Sequence, residues 1–450
     1  MAGKDLTQGN ITRQLVKLAV PLMLGNILQQ LYNTVDAFII GRFCGREPYA
    51  AIGVAGTVMN LFVFAVVGFC TGLSVLFAQS YGRRDSAGFR RVHFASLLSG
   101  LGLTLAAGVG GQLLLPWLLR LIQTPPEITG DVMTYLRIIL WGLPVTMLYN
   151  LYSAMLRSVG SARAALLFLA AAVLGNTALD VLFVAGLGWG TAGAAAATVL
   201  AQLLSAVLSV FWLNRSAPEL RLRREDCRMD SGLLRRTLHY GSVTALHQSG
   251  LYIGKVLVQG AVNSGGVALI TAYTTTTRIE GFANSFGDSG SAATSVIVAQ
   301  NVGAGKSERV RSTYRRSMLL LFLLGFVSAA VMYGGAGIFV TWLLGEESGA
   351  AWESAVSYLH LVALFYPLCF TGNTFAGYYD GCGRGEIPAI GAISHISLRV
   401  LLSWLLVGRM GLDAVALATG LGWILVNLMW LLYKVLFMDR ASHRPRNVLH

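Results

Sequence analysis

The chain has 450 residues, of which 55% are hydrophobic and only 12% charged, with a mean hydropathy of +0.62. A water-soluble globular protein carries about 25% charged residues, so a soluble fold is excluded. The formal charge of +13 invites a nucleic-acid reading, but the basic residues sit in alternate loops of a membrane pattern, which argues against one.

Runs of 18 or more mostly apolar residues span bilayers as helices. Twelve are predicted: 13–41, 50–78, 93–119, 132–156, 164–187, 191–213, 237–262, 267–298, 317–344, 354–380, 387–408 and 412–437. The opening MAGKDLTQGN is polar and lacks the apolar core of a cleaved signal peptide. Alternate loops hold the charge. Lys4, Arg13 and Lys17 lie at the N-terminus, Arg83, Arg84, Arg90 and Arg91 after the second span, and seven arginines between Arg215 and Arg236. The opposite loops hold Arg42, Arg46, Arg120 and Arg409. The positive-inside rule then places both termini and the central loop in the cytoplasm. The five cysteines form no CxxC pair, so neither a disulfide framework nor a zinc site is expected.

The first span carries Asp36 within a long apolar run. A bare carboxylate at bilayer depth costs roughly 2.5–3.5 kcal/mol even on the lenient insertion scale. A chain that keeps one there uses it to bind an ion, move a proton or hold a substrate. Gln29, Tyr32, Asn33 and Asp36 follow i, i+3, i+4, i+7 and form one polar stripe, which must face a cavity or another helix. In the fifth span Asn176 and Asp180 are four apart and share a helical face; Thr198 lies in the sixth. Two carboxylates, an amide oxygen and a hydroxyl suit a hard cation such as Na+. Without a metal, two nearby acids in low dielectric make a proton carrier. Spacing alone leaves open the alternative that these residues serve separate helix contacts. The seventh span adds His247, Gln248, Tyr252 and Lys255, the eighth Arg278, Glu280, Asn284, Ser285 and Asp288, and the eleventh Arg399.

The chain repeats itself. AQSYGRRD at 78–85 matches AQNVGAGK at 299–306, an offset of 221. DAFIIG at 36–41 matches KVLVQG at 255–260, an offset of 219, so Lys255 stands at the counterpart of Asp36. RSVGSARAAL at 157–166 matches DGCGRGEIPA at 380–389, an offset of 223. These echoes predict a duplicated six-span unit: an N-lobe over 1–213, a polar linker at 214–236 and a C-lobe over 237–450. An even span number keeps both halves in one orientation, related by a pseudo-two-fold axis along the membrane normal. The expected fold class is therefore an all-α integral membrane protein, with twelve transmembrane helices in two six-helix lobes. Two such lobes enclose a mid-membrane cleft and alternate access by rocking, so a monomer suffices.

At these residues the chain resembles the multidrug and toxic compound extrusion (MATE) transporters of prokaryotic type. LAVPLMLGNILQQLYNTVDAFIIGR (18–42) is similar to the family's first helix, AAIGVAG (50–56) fits the second, and AQNVGAGK fits the end of the eighth. The resemblance implies a two-lobed exporter of amphipathic small molecules in a bacterial or archaeal cytoplasmic membrane, driven by inward H+ or Na+ and needing no cofactor. It implies a cation site at Asp36, Asn176, Asp180 and Thr198. Gln29, Tyr32, Asn33, His247, Gln248, Tyr252, Lys255, Glu280 and Arg399 are the expected substrate-cavity residues. Lys255 and Arg399 depart from a simple acidic C-lobe and keep a second reading, a flippase for anionic lipid-linked substrates. Other classes fit less well. No Walker A pattern, nucleophile elbow or paired-histidine motif occurs, so the chain is not expected to be an enzyme. The loop YGRRDSAGFRR does not follow the major-facilitator pattern.

Overall fold

The computed structural model describes residues 4–228, 230–345 and 347–439, without the side chains of Asn33, Ala37, Arg46, Met438 and Asp439. Among the described residues there is no strand, and thirteen α-helices follow one another. They are α1 (Ile11–Phe43), α2 (Arg46–Gly82), α3 (Ser86–Leu121), α4 (Pro126–Ser158), α5 (Ala162–Asp180), α6 (Gly190–Ser216), α7 (Ser231–Asn263), α8 (Val267–Gly303), α9 (Ser307–Leu344), α10 (Ala350–Ala363), α11 (Tyr366–Gly381), α12 (Glu386–Met410) and α13 (Asp413–Tyr433).

Their ends follow local rules. The Asn10 side chain accepts from the Arg13 N–H and opens α1; Asp85 does the same for Gly88 and opens α3. Pro126 stands at the first position of α4, where a missing N–H is harmless. Past Asp180, α5 continues as a wider π-helical segment, Val181–Gly186. Among the described residues nine helices are long and apolar enough to cross a membrane, and α10 with α11 makes a tenth candidate, bent by 55°. The predicted single span 354–380 is thus a broken one. Pro367 lacks the N–H that would continue α10 and its ring excludes the preceding helical carbonyl, so the helix restarts at Tyr366. Helices α7 and α8 are 33 and 37 residues long, sufficient to cross, but their polar residues lower their hydropathy.

Packing divides the chain into two compact units. One takes in α1–α6 and α7 as far as Tyr252, with Ala292–Thr313 and Asp380–Gly383. The other comprises Ile253–Ser291, Tyr314–Tyr379 and the chain from Arg384 onward. The first unit is built around Leu73, Phe77, Phe89, Leu136, Leu140 and Met147; the second around Val340, Tyr358, Tyr366 and Phe370. Large apolar side chains such as Leu113, Trp117, Ile338 and Trp342 stay exposed, as a lipid-facing surface requires.

At the end of the first unit that carries the basic loops, the two AQ motifs cross. Gly82 of α2 lies against the backbone of Gln300 in α8, and Gly303 of α8 against the backbone of Gln79 in α2, with no room for a Cβ at either. The crossing is reciprocal: Gln79 and Gln300, like Gly82 and Gly303, are repeat counterparts. Beside it, the N-terminal arm is pinned down. Gln300 Oε1 accepts from the Leu6 N–H at 3.0 Å, Lys306 Nζ donates to the Thr7 carbonyl at 2.8 Å, and Arg309 donates to the Leu6 and Gly9 carbonyls at 3.1 and 3.0 Å. The connector between α6 and α7 is also docked. Arg90 of α3 donates to Asp226 at 2.6 Å and to the Glu219 carbonyl at 2.9 Å, while Leu220 is buried.

Candidate functional site

Four polar residues from three helices meet inside the first unit. Asp36 of α1 is 8% exposed, Asn176 and Asp180 of α5 are 1% and 0%, and Thr198 of α6 is 7%. Helix α5 packs against both α1 and α6, which brings the three polar faces together. The small residues Ala194, Ala195 and Ala197 let α6 approach closely, since none needs more than a methyl group of space.

The carboxyls of Asp36 and Asp180 lie within hydrogen-bonding reach of each other. With its amide oriented by the surrounding network, Asn176 donates through Nδ2 to Asp180 Oδ2 at 2.8 Å and accepts from the Thr198 backbone N–H at 3.3 Å. Tyr32 donates its hydroxyl proton to Thr198 Oγ1 at 3.1 Å. Asp36 Oδ1 and Asp180 Oδ1 are both buried and have no hydrogen-bond partner among the described residues. Buried polar groups are ordinarily satisfied, and two carboxylates in contact repel unless a proton or cation lies between them. The cluster therefore presents two carboxyl oxygens with no hydrogen-bond partner among the described residues, with the Asn176 amide and the Thr198 and Tyr32 hydroxyls around them. Among the described residues no group of three or more His, Cys, Asp or Glu side chains could hold a metal, so neutral oxygens would complete any cation's shell here.

Sequence reasoning missed Tyr135 of α4. It is 2% exposed, contacts Met59 through its hydroxyl at 3.8 Å, and lies in electrostatic reach of both acids and within reach of Thr198. Its isolation in a predicted span carried no periodic signal.

The remaining expected cavity residues divide between the units. In the first, Gln29, Tyr32, His247 and Gln248 are half-buried. Tyr252 donates to the Thr57 carbonyl at 3.1 Å and stacks on Phe64 at 5.3 Å. The Asn33 side chain lies outside the described residues. In the second unit Glu280 is buried and accepts from the Tyr358 hydroxyl at 2.9 Å. Arg399 donates to the Tyr273 hydroxyl at 3.4 Å, keeps a buried Nε with no partner among the described residues, and lies in electrostatic reach of Glu280, as does Lys255. The cationic and anionic groups of the second unit thus stand near one another; Lys255 itself is exposed.

The sequence profile of the MatE family matches residues 21–182 and again 242–405. The chain belongs to the MatE family. The two matches begin as far apart as the two AQ motifs, so the family profile itself describes one half of this MatE protein. The probable multidrug resistance protein YpnP of Bacillus subtilis is 26% identical over 435 residues, 96% of this chain and 97% of its own. The probable multidrug resistance protein NorM of Thermotoga maritima is 24% identical over 330 residues, covering 70% of this chain and 68% of its own. A MOP-superfamily transporter from Pyrococcus furiosus, described as having a binding pocket of reverse polarity, superimposes with a TM-score of 0.89 over 98% of both chains at 22% identity. A MATE structure in a bent conformation gives 0.90 over 97% of both at 23% identity. The fold is therefore that of MATE transporters: twelve membrane-crossing helices in two six-helix lobes. The protein is a multi-pass membrane transporter.

Proposed function

We propose that this MatE protein exports amphipathic small organic molecules in exchange for inward-moving H+ or Na+, with the ion bound at Asp36, Asn176, Asp180 and Thr198. The observation that carries this reading is the pair of buried carboxyl oxygens on Asp36 and Asp180 that have no hydrogen-bond partner among the described residues. One proton shared by the two carboxyls, or one Na+ between them, relieves their repulsion and satisfies both. An ion drives a conformational change only through a difference in affinity between two states. Here the difference would come from α1, α5 and α6: a shift of any one separates the oxygens and weakens the ion's shell. The relatives' names, multidrug resistance proteins, support a drug-like substrate, and the half-buried polar faces of α1 and α7 offer it hydrogen bonds. The basic end of the helices would face the cytoplasm of a prokaryotic cell.

Two measurements test this. Purified protein in vesicles is given a proton gradient or a sodium gradient, one at a time, and export of a fluorescent cationic dye is followed. One of the two gradients drives transport, and Asp36→Asn abolishes it while leaving the folded yield unchanged. Transport that ignores both gradients, or full activity in Asp36→Asn, overturns the reading.

A further inference from the structure

A cavity of about 330 Å3 opens beside the N-terminal arm, lined by Lys4, Asp5, Leu6, Asn10, Arg13, Gln14 and Lys17. Its charge is one-sided. Asp5 is already engaged: its carboxylate accepts from the Thr7 N–H at 2.9 Å and the Thr7 hydroxyl at 2.6 Å, and pairs with Arg84 at 3.4 Å. Lys4, Arg13 and Lys17 belong to neither ion pair found among the described residues. Lys4, Arg13 and Arg163 all lie in electrostatic reach of Lys17. The positive end of α1 adds to the same field. Like charges gathered around a cavity repel, and an anion held between them removes the repulsion.

The surface beyond the cavity says what kind of anion. Arg13, Lys17, Val20 and Leu24 follow i, i+4, i+7, i+11 along one line of α1. Val20 and Leu24 are 43% and 44% exposed. A cationic cavity thus runs directly into an exposed apolar strip, the order of a phosphate headgroup followed by its acyl chain. Basic pockets beside membrane helices hold anionic headgroups in this way. We propose that the cavity binds the phosphate of an anionic phospholipid through Lys4, Arg13 and Lys17, with an acyl chain along Val20 and Leu24. Because Lys4, Asp5 and Leu6 form one wall, and Gln300, Lys306 and Arg309 pin that wall in place, the site is complete only while the arm is docked. By linkage, the bound lipid holds the arm down. This inference is independent of which ion or substrate the protein moves.

The experiment is native mass spectrometry of the full-length protein carrying phosphatidylglycerol, with phosphatidylcholine as the neutral lipid and inorganic phosphate as a competitor. Phosphatidylglycerol is retained over phosphatidylcholine. The variant Arg13→Gln/Lys17→Gln lowers its retention roughly fivefold for each cation removed, whereas Arg13→Lys/Lys17→Arg, which keeps charge and shape, retains it. The pair Arg315→Gln/Arg316→Gln, exposed arginines of α9, serves as a control and leaves retention unchanged. Equal loss in the control means diffuse attraction to the whole basic end and overturns the site. Displacement by millimolar inorganic phosphate makes it a free-anion site and overturns the lipid. Hydrogen exchange in nanodiscs reads the arm: the Leu6 amide exchanges more slowly in phosphatidylglycerol than in phosphatidylcholine. Equal exchange overturns the proposed hold on the arm.

Discussion

Gln300 Nε2 donates to the Ser158 carbonyl at 2.7 Å, and its repeat counterpart Gln79 reaches toward the Gly381 carbonyl at 3.5 Å. Ser158 and Gly381 are themselves counterparts in the RSVG and DGCG segments. Each half thus fastens its AQ glutamine to the turn after the other half's corresponding helix. Gly160 and Gly383 close those turns with φ of 78° in both cases, a left-handed conformation that suits glycine. Together with the Gly82 and Gly303 crossing, this forms one self-complementary contact at the basic end.

Alanine at either crossing glycine tests that contact. A Cβ has no space at Gly82 or Gly303, and overpacking of this kind costs roughly 1–3 kcal/mol. Gly82→Ala and Gly303→Ala should each hold the crossing open. Both should increase labelling of a cysteine placed at Gln79 by a thiol reagent and lower dye export. Two variants with normal labelling and normal export would show that the crossing does not need its glycines.

Asp36 and Asp180 should act as one unit. Residues in one network are not additive, so Asp36→Asn and Asp180→Asn each abolish gradient-driven export, and the double variant is no worse than either. The check is a double-mutant cycle on the purified protein's affinity for the coupling ion. Additive effects would place the two acids in separate sites.

Among the described residues the Tyr32 hydroxyl is bonded to Thr198. Losing one such hydrogen bond costs about 1 kcal/mol. Tyr32→Phe should therefore raise the ion concentration for half-maximal export about fivefold, leaving the maximal rate nearly unchanged. A collapse of the maximal rate with no change in ion dependence would contradict this role.

The docked connector predicts a pH dependence. The Arg90 hydrogen bond holds the Asp226 carboxyl below the usual carboxylate range. A lowered folded value means that the stabilisation is present above the unfolded value, about pH 3.9, and is lost as pH falls through the lower folded one. Limited proteolysis should leave 214–236 intact at neutral pH and down to about pH 4, then cut it. Asp226→Asn should be cut at neutral pH.

Arg309 should govern the N-terminal arm, since it donates to both Leu6 and Gly9. Arg309→Ala removes both of these charge-assisted bonds, about 1.5 kcal/mol each, and should make the Leu6 amide exchange at least tenfold faster. An unchanged rate would mean that Gln300 and Lys306 hold the arm without it.

Much of this arrangement was legible in the chain. Long apolar runs gave the helices; Asp36 stood out by its apolar surroundings, Asn176 and Asp180 by sharing one helical face, and the resemblance to MATE transporters grouped them with Thr198. Their meeting was not legible, because no local pattern says which helices adjoin. Tyr135 escaped for the same reason: a lone tyrosine has no period. The break before Tyr366 was signalled by Pro367, but the hydropathy of the run is continuous across it. The AQ repeat showed that two segments correspond, yet nothing in it says that they touch each other.

That contact has a consequence for how the halves diverged. In a two-fold contact each side is template for the other, so a bulky change on one side cannot be absorbed locally. Lys255, the counterpart of Asp36 in the repeat, lies outside that contact and is exposed, so a reversed charge there leaves the crossing intact. The two copies are therefore matched at the AQ crossing and unlike at Asp36 and Lys255, so the repeat keeps its symmetry at one contact and loses it elsewhere.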